Sequence, residues 1–261
     1  MARTAGAGYA LRRMPLLVIA HRGDSAHRPE NTLAAFERAL EVGIDVIELD
    51  VQLTADGHVV VIHDPTVDRT TSGSGRVGEM SLASIRSLSA GYPARFGSEY
   101  ASERVPTLGE ALGFLKGRAR VMIEIKPDSV KDGESPGVES ATVAEVRRLQ
   151  MEDEVAIVSF DRRALARCRA IAPDIRRGQL AAKGTADELV ESARQLGAEF
   201  VLPQKAMLSD ELCRLADAAG VKVATWVVDE VDELETLARY RLFGVASNRP
   251  GALLEAARSL G

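Results

Sequence analysis

Apolar and polar residues alternate with period two from Ile44 to Thr54 and again from Val59 to His63, with Asp56-Gly57 between the two runs. Such alternation marks strands with two unlike faces, and Asp-Gly favours a two-residue type I′ turn. The segment predicts a β-hairpin in which Ala55 faces His58, Thr54 faces Val59, Gln52 faces Val61 and Asp50 faces His63. Opposed residues share a face, and Glu48, two positions before Asp50, points the same way. A slip of one residue would send His63 to the other face, so the register is decisive.

Around this hairpin the period switches repeatedly between two and 3.6. An apolar run over 16–20 predicts a first strand, followed by the loop His21-Arg22-Gly23-Asp24. Pro29-Glu30-Asn31-Thr32 opens a helix with Asn31 or Thr32 as N-cap and Gly43 as C-cap. Beyond residue 106 the pattern predicts helices over 107–116, 138–149, 162–171, 186–196, 209–219, 230–240 and 250–260. Strands over 121–126, 155–159, 175–181, 199–202, 221–227 and 243–247 alternate with them. Setting the return arm of the hairpin aside leaves eight strands, which predicts an irregular (β/α)8 TIM barrel. A doubly wound sheet competes, but it usually carries a glycine-rich phosphate loop after its first strand, and His21-Arg22-Gly23-Asp24 is not one. Residues 65–105 break the pattern and read as a small insertion after strand two, residues 1–14 as a flexible tail, and 15–261 as one catalytic barrel domain.

Composition narrows the function classes. A net charge of -5, with acids and arginines interspersed, gives no footprint for nucleic acid. The apolar run 16–20 is too short to span a membrane, so stable membrane insertion is not expected. Cys168 and Cys213 lie in helical patterns and suggest neither a disulfide framework nor a zinc site, in keeping with a cytoplasmic location. The oligomeric state is not readable.

In a (β/α)8 barrel chemistry sits at the C-terminal strand ends. Those ends carry His21 and Arg22 on strand one, Glu48 and Asp50 on strand two, and Glu124 and Lys126 on strand three. Three carboxylates without a nearby thiol form a hard oxygen set suited to Ca²⁺ or Mg²⁺. A Glu124–Lys126 salt bridge is the structural alternative, and the two readings are compatible. His27 and His58 fall in exposed turns. His21 and His63 end adjacent strands and could act as general acid and base, with Arg22 and Lys126 holding an anion. The set suits phosphodiester cleavage.

The runs His21-Arg22-Gly23, Pro29-Glu30-Asn31-Thr32, Glu48-Leu49-Asp50-Val51, Thr54 to Gly57, His63-Asp64 and Glu124-Ile125-Lys126 resemble the successive motifs of the glycerophosphodiester phosphodiesterase family, a group of phosphatidylinositol-phospholipase-C-like barrels. The resemblance implies His21 and His63 as the acid/base pair, Glu48, Asp50 and Glu124 as metal ligands, and Arg22 and Lys126 as phosphate contacts. The resemblance also implies Trp226 as a wall against the substrate, with a barrel-core position as the alternative, and Phe160 at the end of strand four carries the same two readings. In the second half, Trp226-Val227-Val228-Asp229 and Ser247-Asn248-Arg249-Pro250 depart from the family's usual Trp-Thr-Val-Asn and Thr-Asp-x-Pro, which bears on the leaving group. The expected activity is metal-dependent hydrolysis of small glycerophosphodiesters to sn-glycerol 3-phosphate and an alcohol. A lysophospholipase D-type hydrolase would need an acyl-chain surface, for which Tyr92, Phe96 and Tyr100 of the insertion are the candidates; a non-catalytic barrel that binds a phosphorylated ligand is the reading from another class.

Overall fold

In the computed structural model, which describes residues 16–133 and 137–260, the alternation of the sequence becomes the two faces of a closed barrel. The tail expected over 1–14 lies outside the described residues. The strands are β1 (Leu17–His21), β2 (Val46–Leu53), β3 (Val59–Val61), β4 (Arg120–Ile125), β5 (Val155–Ser159), β6 (Arg176–Ala181), β7 (Phe200–Pro203), β8 (Lys222–Thr225) and β9 (Gly244–Ser247). All except β3 run parallel, and β1 pairs with both β2 and β9, which closes the ring. The helices α1 (Leu33–Glu41), α4 (Leu108–Leu115), α5 (Val138–Arg148), α6 (Arg162–Ile171), α7 (Ala186–Leu196), α8 (Asp210–Ala218), α9 (Val231–Leu237) and α10 (Pro250–Leu260) lie between and after the strands. Two short helices, α2 (Leu82–Arg86) and α3 (Pro93–Phe96), belong to the insertion. This is the (β/α)8 barrel that the pattern predicts.

Period two decides which side chains enter the barrel. In β5, Val155 and Ile157 pack outward against the helices, while Ala156 and Val158 join Ile19, Val46, Met122, Leu180, Phe200 and Ala246 in the interior. Gly178 of β6 is required there, because a Cβ would overlap the ring of Phe200. Continuing the inward parity toward the C-terminal ends turns apolar residues into polar ones: Ile19 gives way to His21, Val46 to Glu48 and Asp50, and Met122 to Glu124 and Lys126. The outward set, Ile47, Leu49, Val51, Ile123 and Ile125, stays apolar and fully buried. The barrel is thus filled with hydrocarbon below and with charge at its mouth.

Helix α1 begins as its sequence demands. The Thr32 side chain caps it by accepting from the Ala35 amide, and Gly43 follows with a positive φ of 86°. Asn31, the other N-cap candidate, instead adopts a left-handed φ of 59° and points its amide at Asp50.

The hairpin register differs from the expectation. Val51 pairs with Val61, Gln52 with Val60 and Leu53 with Val59, which places Asp50 opposite Ile62. The Thr54 amide bonds the His58 carbonyl, so the loop holds three residues, 55–57, with Gly57 at φ 82°. Thr54 Oγ1 stabilises this wider loop by donating to Asp56 and accepting from the His58 amide. Strand β3 then faces two cores at once. Val59 and Val61 meet the barrel helices, whereas Val60 and Ile62 pack with Val67, Val77, Ile85, Ala90 and Val105 in a separate core of the insertion.

Candidate active site

His63 reaches the barrel mouth by a route other than the pairing expected of it. Pairing in β3 ends at Val61, and the chain bends while the Gln52 side chain donates to the carbonyls of His63, at 3.0 Å, and Asp64. Gln52 lies two residues beyond Asp50 on the inward face of β2, so it ties the bend to the rim. His63 and His21 both lie near enough to help hold the Asp50 carboxyl down.

Among the described residues, Glu48, Asp50 and Glu124 each bring an oxygen within 4.8 Å of the others. All three are buried. Arg22 donates its backbone N–H to Glu48 Oε2 at 3.0 Å and brings its Nε to 3.1 Å from Asp50 Oδ2. Its φ of 59° lets the loop turn back over the rim, and neighbouring Gly23 has no room for a side chain, since a Cβ would stand 2.7 Å from Ala35. Lys126 Nζ lies 2.6 Å from Glu124 Oε1 and 3.4 Å from Asp50 Oδ1, so the salt bridge and the acidic cluster coexist. Asn31 brackets Asp50 by donating to Oδ2 at 2.8 Å and accepting from its amide at 3.2 Å.

The electrostatics follow from burial and from this crowding. Burial, then the negative charges of Asp50 and Glu124, push Glu48 well above the usual carboxylate range. Burial and Asp50 likewise push Glu124 up to about 7. Burial also works against ionised Asp50, but Arg22 and then Lys126 outweigh it and hold that carboxyl low. Among the described residues, Glu48 Oε1 and Asp50 Oδ1 are buried and accept no hydrogen bond, with only the Lys126 ammonium at 3.4 Å from the latter. Unsatisfied buried carboxylate oxygens are costly, and a divalent cation with oxygen ligands would satisfy both. The residues present therefore fit such an ion.

His21 is organised from β9. Its Nδ1 lies 2.7 Å from Asn248 Oδ1, and Asn248 Nδ2 donates to Asp229 Oδ2 at 2.9 Å. Asp229 Oδ1 also accepts from the Asn248 amide and the Ser247 hydroxyl. Because a carboxylate takes the Asn248 NH₂ group, its carbonyl oxygen must face His21, which assigns the ring proton to Nδ1 and leaves the Nε2 lone pair free. Burial, then Arg22, pulls His21 down to about 4, so the ring is neutral at neutral pH. Asn248 and Asp229 were noted in the sequence only as departures from a pattern, and their role had no local signal.

Phe160 and Trp226 end β5 and β8 with the inward parity, half-buried on top of the interior core. Their rings meet edge to face at 5.5 Å, and Trp226 Nε1 donates to the Leu202 carbonyl at 2.8 Å. A cavity of about 410 Å³ opens beside His21, Ser25, Arg95, Asp229, Asn248 and Arg249. A larger one, about 670 Å³, lies at the opposite end among Leu16, Val221 and Phe243, away from the convergent polar groups. Tyr92, Phe96 and Tyr100 form an edge-to-face cluster in which each ring is faced by an arginine, so they present guanidinium groups rather than an open apolar groove. His27 and His58 are at the surface, His27 bonded to Asp24.

The chain matches the model of the glycerophosphoryl diester phosphodiesterase family over residues 21–252. It is 39% identical over 249 residues to a glycerophosphodiester phosphodiesterase of Caldanaerobacter subterraneus subsp. tengcongensis, covering 95% of this chain and 100% of that protein. A glycerophosphodiester phosphodiesterase of Bacillus subtilis is 30% identical over 90% of this chain and 84% of its own length. Among solved structures, an Oleispira antarctica phosphodiesterase in complex with the product sn-glycerol-3-phosphate superposes with a TM-score of 0.80 at 29% identity, covering 92% of this chain and 96% of that one.

Proposed function

The chain belongs to the glycerophosphoryl diester phosphodiesterase family and is an enzyme of that class, and we propose that it hydrolyses glycerophosphodiesters to sn-glycerol 3-phosphate and an alcohol in a divalent-metal-dependent reaction. The observation that carries the metal dependence is the trio Glu48, Asp50 and Glu124 with its unsatisfied oxygens. The all-carboxylate set suits Ca²⁺ or Mg²⁺, and the bound ion would polarise a phosphoryl oxygen. The product named for the Oleispira antarctica structure supports sn-glycerol 3-phosphate as the product here.

In this reading Arg22 and Lys126 hold the phosphoryl oxygens, the positive charge of each being anchored by carboxylates beneath it. His21, neutral and with Nε2 free, accepts a proton from the attacking water as the water oxygen bonds to phosphorus. The bond from phosphorus to the alcohol oxygen then breaks, and His63 delivers a proton to that oxygen. Its Nδ1 is held 2.6 Å from Asp64 Oδ1, which aims the other ring nitrogen. Phe160 and Trp226 form the apolar wall against which the organic part of the substrate lies. Two cysteines with free thiols agree with a cytoplasmic setting, and among the described residues no helix is long and apolar enough to cross a membrane.

The test supplies glycerophosphocholine, glycerophosphoethanolamine and glycerophosphoinositol with Ca²⁺, Mg²⁺ or Mn²⁺ and measures released sn-glycerol 3-phosphate. Turnover that a chelator abolishes is expected. Tight product binding with no turnover under any metal would instead favour a binding barrel.

A further inference from the structure

Arg69 lies in the insertion, between β3 and α2. A guanidinium has five N–H donors, and in Arg69 all five meet protein acceptors. Nε and Nη2 donate to the two oxygens of Asp64 at 2.6 and 3.0 Å. Nη1 and Nη2 donate to the two oxygens of Glu30 at 2.7 and 2.9 Å. The remaining Nη1 hydrogen reaches Tyr92 Oη at 3.5 Å, and the plane lies 5.6 Å from the Tyr92 ring. No donor is left for a phosphate. Arg22 differs, since it uses Nη1 on Glu30 and retains Nη2 free among the described residues.

Both carboxylates that Arg69 grips have a second partner at the mouth. Asp64 Oδ1 also holds His63 Nδ1 at 2.6 Å, and Glu30 Oε1 also takes Arg22 Nη1 at 2.8 Å. One planar cation thus connects the base of His63 to the base of Arg22 across residues 30, 64 and 69. We propose that Arg69 is a positioning residue, which fixes the orientations of His63 and Arg22 through Asp64 and Glu30, so that the insertion completes the catalytic mouth. The proposal rests on the roles given above to His63 and Arg22.

The geometry sets a demanding requirement. Two carboxylates held by one side chain need two pairs of donors at fixed angles, which a guanidinium supplies and an ammonium does not. Arg69→Lys keeps the charge and loses the fork. If Arg69 only stabilised the insertion core, the two cations would differ in melting temperature and little else.

Removing such an outer support of a site typically costs about 10–100-fold in activity. The expected result for Arg69→Lys is therefore a kcat lower by about 10–100-fold. Asp64→Asn should lose a comparable factor, and the double variant should fall no further than the worse single one, because both act through His63. Multiplying losses, or a wild-type kcat in Arg69→Lys, would overturn the proposal. Ring ¹H–¹⁵N spectra give a second readout that needs no turnover. The chain has four histidines, so His63→Ala assigns the signal. In spectra of the neutral ring, taken at alkaline pH, wild-type protein should show His63 as one tautomer with its proton on Nδ1, and Arg69→Lys should show a mixture; an unchanged tautomer counts against the proposal. Should Arg69→Lys fail to fold, Arg69→Gln and Asp64→Asn carry the same comparison. If wild-type protein cleaves no glycerophosphodiester, the functional reading falls, and the ring spectra still decide whether Arg69 holds His63.

Discussion

His21 and His63 both act on the charge of Asp50, yet their Nδ1 atoms meet different partners. Behind His21 stands a neutral amide, Asn248, turned by Asp229. Behind His63 stands a carboxylate, Asp64, which Arg69 and then its hydrogen bond to His63 hold down to about 2. Burial and Arg22 keep the His21 ring neutral while Asn248 fixes its orientation, whereas Asp64 places a full negative charge beside the His63 ring. In the proposed mechanism the two imidazoles are thus divided into a proton acceptor and a proton donor by their neighbours rather than by intrinsic chemistry.

The largest effect expected is on turnover. His21→Ala and His63→Ala should each lower kcat by about 10²–10⁴-fold while sn-glycerol 3-phosphate still binds. The leaving group separates the two roles. A p-nitrophenyl phosphodiester expels an anion that needs little protonation, so it should recover most of the rate in His63→Ala and little in His21→Ala. Equal recovery in both variants would erase the division.

A smaller effect should appear in the pH profile. As a base His21 must be unprotonated, and its lowering to about 4 places the acid limb of kcat/KM far below neutrality. Asn248→Asp puts a carboxylate beside the ring, which favours the imidazolium, raises the pKa and should move the acid limb up by about one unit or more. Asp64→Asn should lower the rate without moving that limb. A limb unmoved by Asn248→Asp would mean that another group titrates there.

Much of this mouth was legible because parity along parallel strands is local information. His21, Glu48, Asp50, Glu124 and Lys126 follow from counting by two toward a strand end, Phe160 and Trp226, expected from the family resemblance, share that parity, and the structure brings them to one rim. The hairpin register was not legible from Asp56-Gly57 alone. Thr54 and Asp56 bond each other and the loop opens to three residues, while the Asp56 carboxylate also accepts from the Leu82 amide at the start of α2. Packing of the insertion thus helps select the turn. The supports of the histidines were hidden for a different reason. Asn248 approaches His21 only because β9 closes against β1, and Arg69 meets Glu30 only across the folded insertion. Neither contact leaves a periodic trace in the chain.

The smallest predicted effect is on stability, and it contrasts the acids with the histidines. Without a divalent cation, burial and Asp50 raise Glu124 to about 7, and burial, then Asp50 and Glu124, raise Glu48 well above its ordinary value of 4.5. A group whose folded pKa is raised contributes stability that is present below its unfolded pKa and lost as pH rises through the folded one. The metal-free protein should therefore lose stability between about pH 4.5 and 7 as the Glu124 proton leaves, and the raised Glu48 adds to the loss in the same direction. A divalent cation requires both carboxylates ionised, so it competes with protons at low pH and relieves the repulsion at high pH. At one fixed concentration of Ca²⁺ or Mg²⁺, the rise in melting temperature should be small near pH 5 and reach several degrees near pH 8. Glu124→Gln, which cannot ionise, should flatten this dependence and weaken the metal requirement's response to pH. A metal-induced shift of equal size at both pH values in the wild-type protein would mean that the trio holds no protons to displace, and the charge state assigned to Glu48 and Glu124 would have to be abandoned.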